Sequence, residues 1–241
     1  MAKPRKSYTW WVTMQILRFL FVLVIFGVCA FVVWRAFISN IAPSGMEELY
    51  PNAPLAGAFE LYGEDLVTFR QEEGTMTRGE KNYGYFGVSY CVFVPEAQQV
   101  QLVVRYNNST LEAIARDKGL AEEPPKGECI LDVTLLKMID LTPDDLTDNK
   151  DGSETVGRQR IQPTGEPVID TTLLYTYCHY TFDGVVTEAD TLAVFADIYY
   201  EADVDYNAEP YGTLRVYHAQ NQKLYKSLGS DEINALKRYG K

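Results

Sequence analysis

"YFGVSYCVFVPEAQQVQLVVRYN", residues 85–107, reads as two extended runs joined by a tight connection. In the second run Val100, Leu102, Val104 and Tyr106 fall on one side of the chain, while Gln99, Gln101, Arg105 and Asn107 fall on the other. That period of two is what a strand imposes, and it predicts a sheet with one apolar and one wetted face. The "PEAQ" between the runs places a proline where the first strand stops, so the pair is expected to be a hairpin.

The same pattern continues outward from this hairpin. "CILDVTLLKMID" (129–140), "TTLLYTYCHYTF" (171–182), "TLAVFADIYY" (191–200) and "GTLRVYHA" (212–219) are expected strands, and the polar stretch 142–170 is an insertion with one short edge strand near Arg160. Two short helices interrupt them. "STLEAIARDKG" (109–119) carries Ser109 as N-cap, Glu112 three residues later as a capping box, and Gly119 as a stop. Asp231–Tyr239 has Ser230 as cap, acids in its first turn and Lys237 and Arg238 in its last, matching the helix dipole. With 17 tyrosines and many β-branched residues, the fold expected is mainly β: an antiparallel β-sandwich, immunoglobulin-like in the broad sense, with a small barrel as the alternative.

A different period governs the N-terminus. "RFLFVLVIFGVCAFVVWR" (18–35) holds sixteen apolar or small residues between two arginines. As a helix, 16–38 rises about 34 Å and spans a bilayer core of about 30 Å, provided Arg18 and Arg35 extend their stems toward the headgroups. Trp10, Trp11 and Trp34 suit the two interfacial aromatic belts. A cleaved leader needs a small-x-small site directly after a shorter apolar core, but Phe31, Val32, Val33 and Trp34 continue past Ala30. Cys29 follows Val28 in the middle of the run, which does not suit lipid attachment. Lys3, Arg5, Lys6 and Arg18 precede the core, and no basic residue stands between Arg35 and Arg70, so the N-terminus is expected in the cytoplasm.

The expected organisation is a basic cytoplasmic tail at 1–15, a transmembrane anchor at 16–38, a stalk at 39–57 and an extracytoplasmic domain at 58–241. The stalk rests on three prolines and two glycines without a sustained period. Beyond residue 40 the chain carries 17 basic and 33 acidic side chains, a formal charge of −16. Such a surface repels phosphate backbones and anionic headgroups, which argues against nucleic acid as a partner.

Chemistry-bearing residues are sparse. A cysteine in a strand of an anchored β domain, Cys178 in "TLLYTYCHYTF", is similar to the arrangement in sortase transpeptidases. That family needs an earlier histidine and an arginine on the following strand. Here no histidine precedes Cys178 and "TLAVFADIYY" has no arginine, so the thiol lacks a base. Cys91, Cys129 and Cys178 are the three cysteines beyond the anchor, and Cys91 with Cys178 is the disulfide expected in an oxidising compartment. Adjacent Cys178 and His179 point to opposite strand faces, which disfavours zinc.

Asp203, Asp205, Asn207 and Glu209 alternate in "DIYYEADVDYNAEPYG" and offer oxygens to a calcium ion, the one cofactor considered. The segment is not an EF-hand, because Ala208 and Leu214 stand where that loop needs Gly and Glu. Tyr199, Tyr206, Tyr211 and Tyr217 crowd the same region and suggest a contact surface for a protein or glycan. Asn107 and Asn108 form overlapping glycosylation sequons, relevant only in a eukaryotic secretory setting. The function expected is a non-enzymatic binding or accessory protein of a cell-envelope assembly, partnered by other envelope or membrane proteins. The alternatives are an anchored enzyme acting on wall or glycan material and a subunit of a secretion or conjugation channel.

Overall fold

The computed structural model describes residues 8–38, 41–70, 77–78, 85–140, 156–220 and 225–239. The chain forms two compact units, one ending at Ile41 and one running from Ala42 to Lys241.

The first unit is one helix, α1 (Tyr8–Ile38). It starts two turns before the expected Ile16, because "YTWWVTMQ" contains neither proline nor glycine to stop it. The described part of the anticipated tail is therefore helical. Trp10–Trp34 is long and apolar enough, by length and composition, to cross a membrane, and none of it is buried within the molecule. Trp10 and Trp34 bound the apolar stretch, and Arg18 is exposed within it.

The second unit contains α2 (Ala53–Tyr62), β1 (Val67–Arg70), β2 (Thr77–Arg78), β3 (Phe86–Val94), β4 (Gln99–Asn107), α3 (Leu111–Lys118) and β5 (Leu131–Asp140). It continues with β6 (Val156–Ile161), β7 (Val168–Thr171), β8 (Tyr175–Phe182), β9 (Thr191–Tyr200), β10 (Gly212–His218), β11 (Tyr225–Ser227) and α4 (Ser230–Arg238). The strands build two antiparallel sheets, ordered β11-β1-β3-β4-β8-β7 and β2-β10-β9-β5-β6. The expected hairpin is β3–β4, closed by a single 3-10 turn at Pro95–Ala97 and by Gln98 in the left-handed region at φ +50. Of the 142–170 insertion, the part through residue 155 lies outside the described residues, and β6 and β7 come from the rest.

One core is shared by the two sheets. Phe93, Leu102, Val104, Tyr180 and Phe182 of the first face Val133, Leu135, Val194, Ile198 and Leu214 of the second. Burying each such side chain contributes about 1.5–3 kcal/mol, so this layer is the main source of stability.

The other face of the six-stranded sheet is not wetted, contrary to the alternation. Gln99 and Gln101 are each 1 % exposed. Over them lies the segment read as a stalk. Leu49, Leu55 and Ala58 pack with Val92 and Val94 of β3 and with Leu66, Leu228 and Leu236, forming a second core roofed by α2 and α4. Residues 42–57 thus belong to the domain, because their scattered apolar side chains find a surface only after β3 and α4 are in place. Asn52 starts α2 by accepting a hydrogen bond from Leu55 N at 3.2 Å, and Gly63 at φ +61 ends it.

The helix caps also differ from expectation. Ser109 does not cap α3; Asn107 Oδ1 accepts from Ser109 N at 2.9 Å, and a 3-10 turn at Asn108–Thr110 leads into the helix. Gly119 ends α3 at φ +64 as expected. Gly229 is the N-cap of α4, and Glu232 Oε2 accepts from its N–H at 2.8 Å.

The Cys91–Cys178 disulfide does not form, and all four cysteines are free. Cys91 pairs with Leu102 and Cys178 with Val104, so β4 lies between β3 and β8 in one sheet. Two strand spacings of about 4.8 Å exceed the roughly 7 Å limit for a disulfide's Cα atoms.

Candidate functional site: two clefts that meet at Cys129

After α3 the chain "LAEEPPKGECI" (120–130) wraps one end of the domain before entering β5. It turns at Lys126 and Gly127, where Glu128 N donates to Pro125 O at 3.4 Å, and two clefts open beside it. The first cleft, of about 400 Å³, is lined by Ile114, Leu120, Pro125, Ile130 and Tyr200, with Glu122, Glu123, Glu128, Glu201 and Lys118 around it. A second, of about 450 Å³, is lined by Leu131, Asp132, Pro163, Glu166, Ile169 and Tyr180. Both share Glu128, Cys129 and Glu201. Lys118 turns its ammonium onto the Tyr211 ring at 3.4 Å and the Tyr200 ring at 4.6 Å. Carboxylates therefore outnumber cations around both clefts.

Two tyrosine hydroxyls hold the backbone on either side of Cys129. Tyr106 Oη donates to Glu128 O at 2.5 Å and Tyr180 Oη donates to Leu131 O at 2.5 Å. Cys129 Sγ lies 2.8 Å from Tyr180 Oη and 3.4 Å from Leu131 O. The neighbouring Cys178 thiol lowers the Cys129 pKa against the opposing effect of burial, while the Cys129 thiol and burial together raise that of Cys178. Cys91, buried without such a partner, is pushed up to about 12.

The four tyrosines are divided between different surroundings. Tyr217 packs in the core against Phe69 at 5.0 Å and Phe93 at 5.7 Å, and Tyr211 stands edge-on to Tyr200 at 5.0 Å. Tyr199 and Tyr206 share the outer face of the five-stranded sheet, in a T-shaped contact at 5.4 Å. Arg160 organises that face, donating to Thr134 Oγ1 at 2.8 Å and Tyr206 O at 3.1 Å and standing 4.0 Å from Asp197. Tyr206 Oη donates to Asp132 Oδ2 at 2.9 Å, and of the four only Tyr206 is exposed, at 38 %.

Around the 203–209 loop, Asp205 Oδ1 accepts from Asn207 N at 2.9 Å, and Asn207 and Glu209 are exposed. The side chains of Asp203 and Arg35 lie outside the described residues. Among the described residues, no group of three or more His, Cys, Asp or Glu is placed to hold a metal ion.

Sequence reading passed over Arg160 as an organising residue and Cys129 as the neighbour of Cys178. Strand parity held the second signal: Cys129 shares parity with the inward Leu131, Val133 and Leu135, as Cys178 does with the inward Tyr180 and Phe182. Compared with protein-family models, curated proteins and solved structures, the chain matches none.

Proposed function

We propose that this chain is a single-pass membrane protein whose acidic β domain stands outside the cytoplasm and serves as a binding or accessory subunit of a cell-envelope assembly. The observation that carries the reading is the unburied apolar stretch Trp10–Trp34, followed by a separate unit with its own cores. Lys3, Arg5, Lys6 and Arg18 all lie toward its N-terminal end, which under the positive-inside rule puts the domain on the far side. The clefts at Cys129 supply the contact face. Their acidic rims and apolar floors suit an extended segment of a membrane-protein partner that carries lysine or arginine beside apolar residues.

Cross-linking of native membranes through a photo-reactive residue at Leu120, with purification by a C-terminal tag and mass spectrometry, tests this. A stoichiometric membrane partner, lost when Glu122, Glu123 and Glu128 are changed to Lys, is the expected result. Recovery of the protein alone, or capture indifferent to these charge reversals, overturns it.

A further inference from the structure

We propose that β7 is a strand-addition site: an extended segment of a partner chain, bearing two adjacent basic residues, pairs antiparallel with its open edge and sets one basic side chain into the second cleft. The inference rests on the reading of the Cys129 clefts as the contact face and supplies the mode of contact.

The backbone of β7 decides which groups are on offer. The strand ends the six-stranded sheet on one side, and all of its residues are exposed. Just beyond it Thr172 N donates to Tyr175 O at 2.8 Å. The alternation of an antiparallel ladder then turns the peptide groups of Asp170 and Val168 toward β8 and those of Ile169 and Thr171 away from it. Asp170 Oδ1 accepts from Thr171 N at 2.7 Å, which closes that donor to a guest. Pro167, just before the strand, has no N–H to give. Ile169 N–H, Ile169 O and Thr171 O are left facing outward, so an added strand is centred on Ile169.

The side chains decide the guest. Ile169 stands opposite Cys178, a core residue, so it lies on the inner face of its sheet, where it lines the cleft of about 450 Å³. A guest residue opposite Ile169 shares that face, with its Cα about 5.5 Å away. Glu128, Asp132, Glu166 and Glu201 line the cleft, and no lysine or arginine does. A basic side chain delivered there meets carboxylates without a competing cation. On the outer face the guest passes Asp170 and Val168, the latter 51 % exposed, which suit a second basic residue and an apolar one. Read from its N-terminus, an antiparallel guest is therefore basic, basic, apolar opposite Asp170, Ile169 and Val168. The other described edges do not match: β2 and β11 have two and three residues, and β6 carries Arg158 and Arg160.

The test uses the full chain in detergent micelles and the peptide acetyl-Thr-Val-Thr-Lys-Lys-Val-Thr-amide, whose Lys-Lys-Val takes those three positions. Saturable binding by titration is expected, with amide exchange slowed over residues 168–171. Methylating the backbone nitrogen of the second lysine removes the donor to Ile169 O and is expected to weaken binding about tenfold. Replacing both lysines by glutamate is expected to weaken it by more than about tenfold. Ile169→Pro removes an outward N–H at an edge that tolerates proline and should act as the methylated peptide does. Should that variant fail to fold, the methylated peptide makes the same comparison on the wild-type protein. No binding at about 1 mM peptide overturns the proposal. So does binding indifferent to methylation, or binding that leaves exchange at 168–171 unchanged. Binding of that last kind that still needs the lysines removes strand addition alone and leaves the acidic contact face standing, which cross-linking at Leu120 reads separately.

Discussion

Gln101 and Tyr50 exchange two hydrogen bonds: Tyr50 N donates to Gln101 Oε1 at 2.7 Å, and Gln101 Nε2 donates to Tyr50 O at 2.8 Å. A side-chain amide here does what a neighbouring strand would do, tying the segment that precedes α2 to the centre of β4. Gln99 extends the link, receiving a bond from Asn52 Nδ2 at 3.1 Å and donating to Asp183 Oδ1 at 2.6 Å. Gln101→Leu is expected to leave both Tyr50 groups without partners, costing about 1–3 kcal/mol in chemical denaturation and raising hydrogen exchange over residues 46–52. Unchanged exchange there would contradict the clamp.

The second core has its own fastening. Arg70 Nη2 lies 2.6 Å from both carboxylate oxygens of Glu232, joining β1 to α4 with both side chains mostly shielded. Shielding and the shared carboxylate raise this pair above an ordinary surface ion pair. A double-mutant cycle with Arg70→Met and Glu232→Gln is expected to show coupling of about 1–2 kcal/mol. A coupling within 0.3 kcal/mol of zero, about the error for independent sites, would show that α4 is held by Leu236 and its apolar neighbours alone.

His179 gives the domain a pH dependence. It is 4 % exposed, edge-on to Tyr50 at 6.1 Å, and burial lowers its pKa to about 4 from 6.5. Between those values the unfolded chain binds a proton that the folded one refuses. Stability is therefore full above about pH 6.5 and falls as the pH drops toward 4, by at most about 1.4 kcal/mol per pH unit. His179→Phe is expected to flatten the part of the Tm-against-pH curve between pH 6.5 and 4. A variant curve parallel to the wild type would refute the assignment.

Asp197 works in the opposite sense. Burial raises its pKa, only partly countered by the Thr213 hydroxyl, which donates at 3.0 Å, and by Arg160. An acid with a raised folded pKa favours the fold below its unfolded pKa of about 3.8 and loses that contribution as the pH rises. Asp197→Asn keeps the acceptor for Thr213 and is expected to match or exceed wild-type stability at pH 7. The difference should vanish below about pH 3.8. A less stable variant at pH 7 would show that the Arg160 ion pair outweighs the cost of burial.

Much of the β domain was legible because strands declare themselves locally. The expected run 191–200 is β9 residue for residue, and the parity of Val100, Leu102 and Val104 selects the face that joins the shared core. The helix at α3 and its stop at Gly119 were legible for the same reason, although Asn107 took over the role expected of Ser109. What lay over Gln99 and Gln101 was not legible. A buried glutamine with both ends hydrogen-bonded looks, in a sequence, the same as one in water.

The sequence by itself determined an apolar helix long enough to span a membrane, an acidic chain beyond it, and the alternation of the principal strands. These depend on side chains within a few residues of one another. Tertiary structure alone decided which sheet each strand joined, that residues 42–57 cover the six-stranded sheet, and that Cys178 neighbours Cys129 rather than Cys91. Parity names the face a residue occupies, but neighbours across a sheet or between sheets depend on strand order. That order follows from burying all the apolar faces of the domain at once.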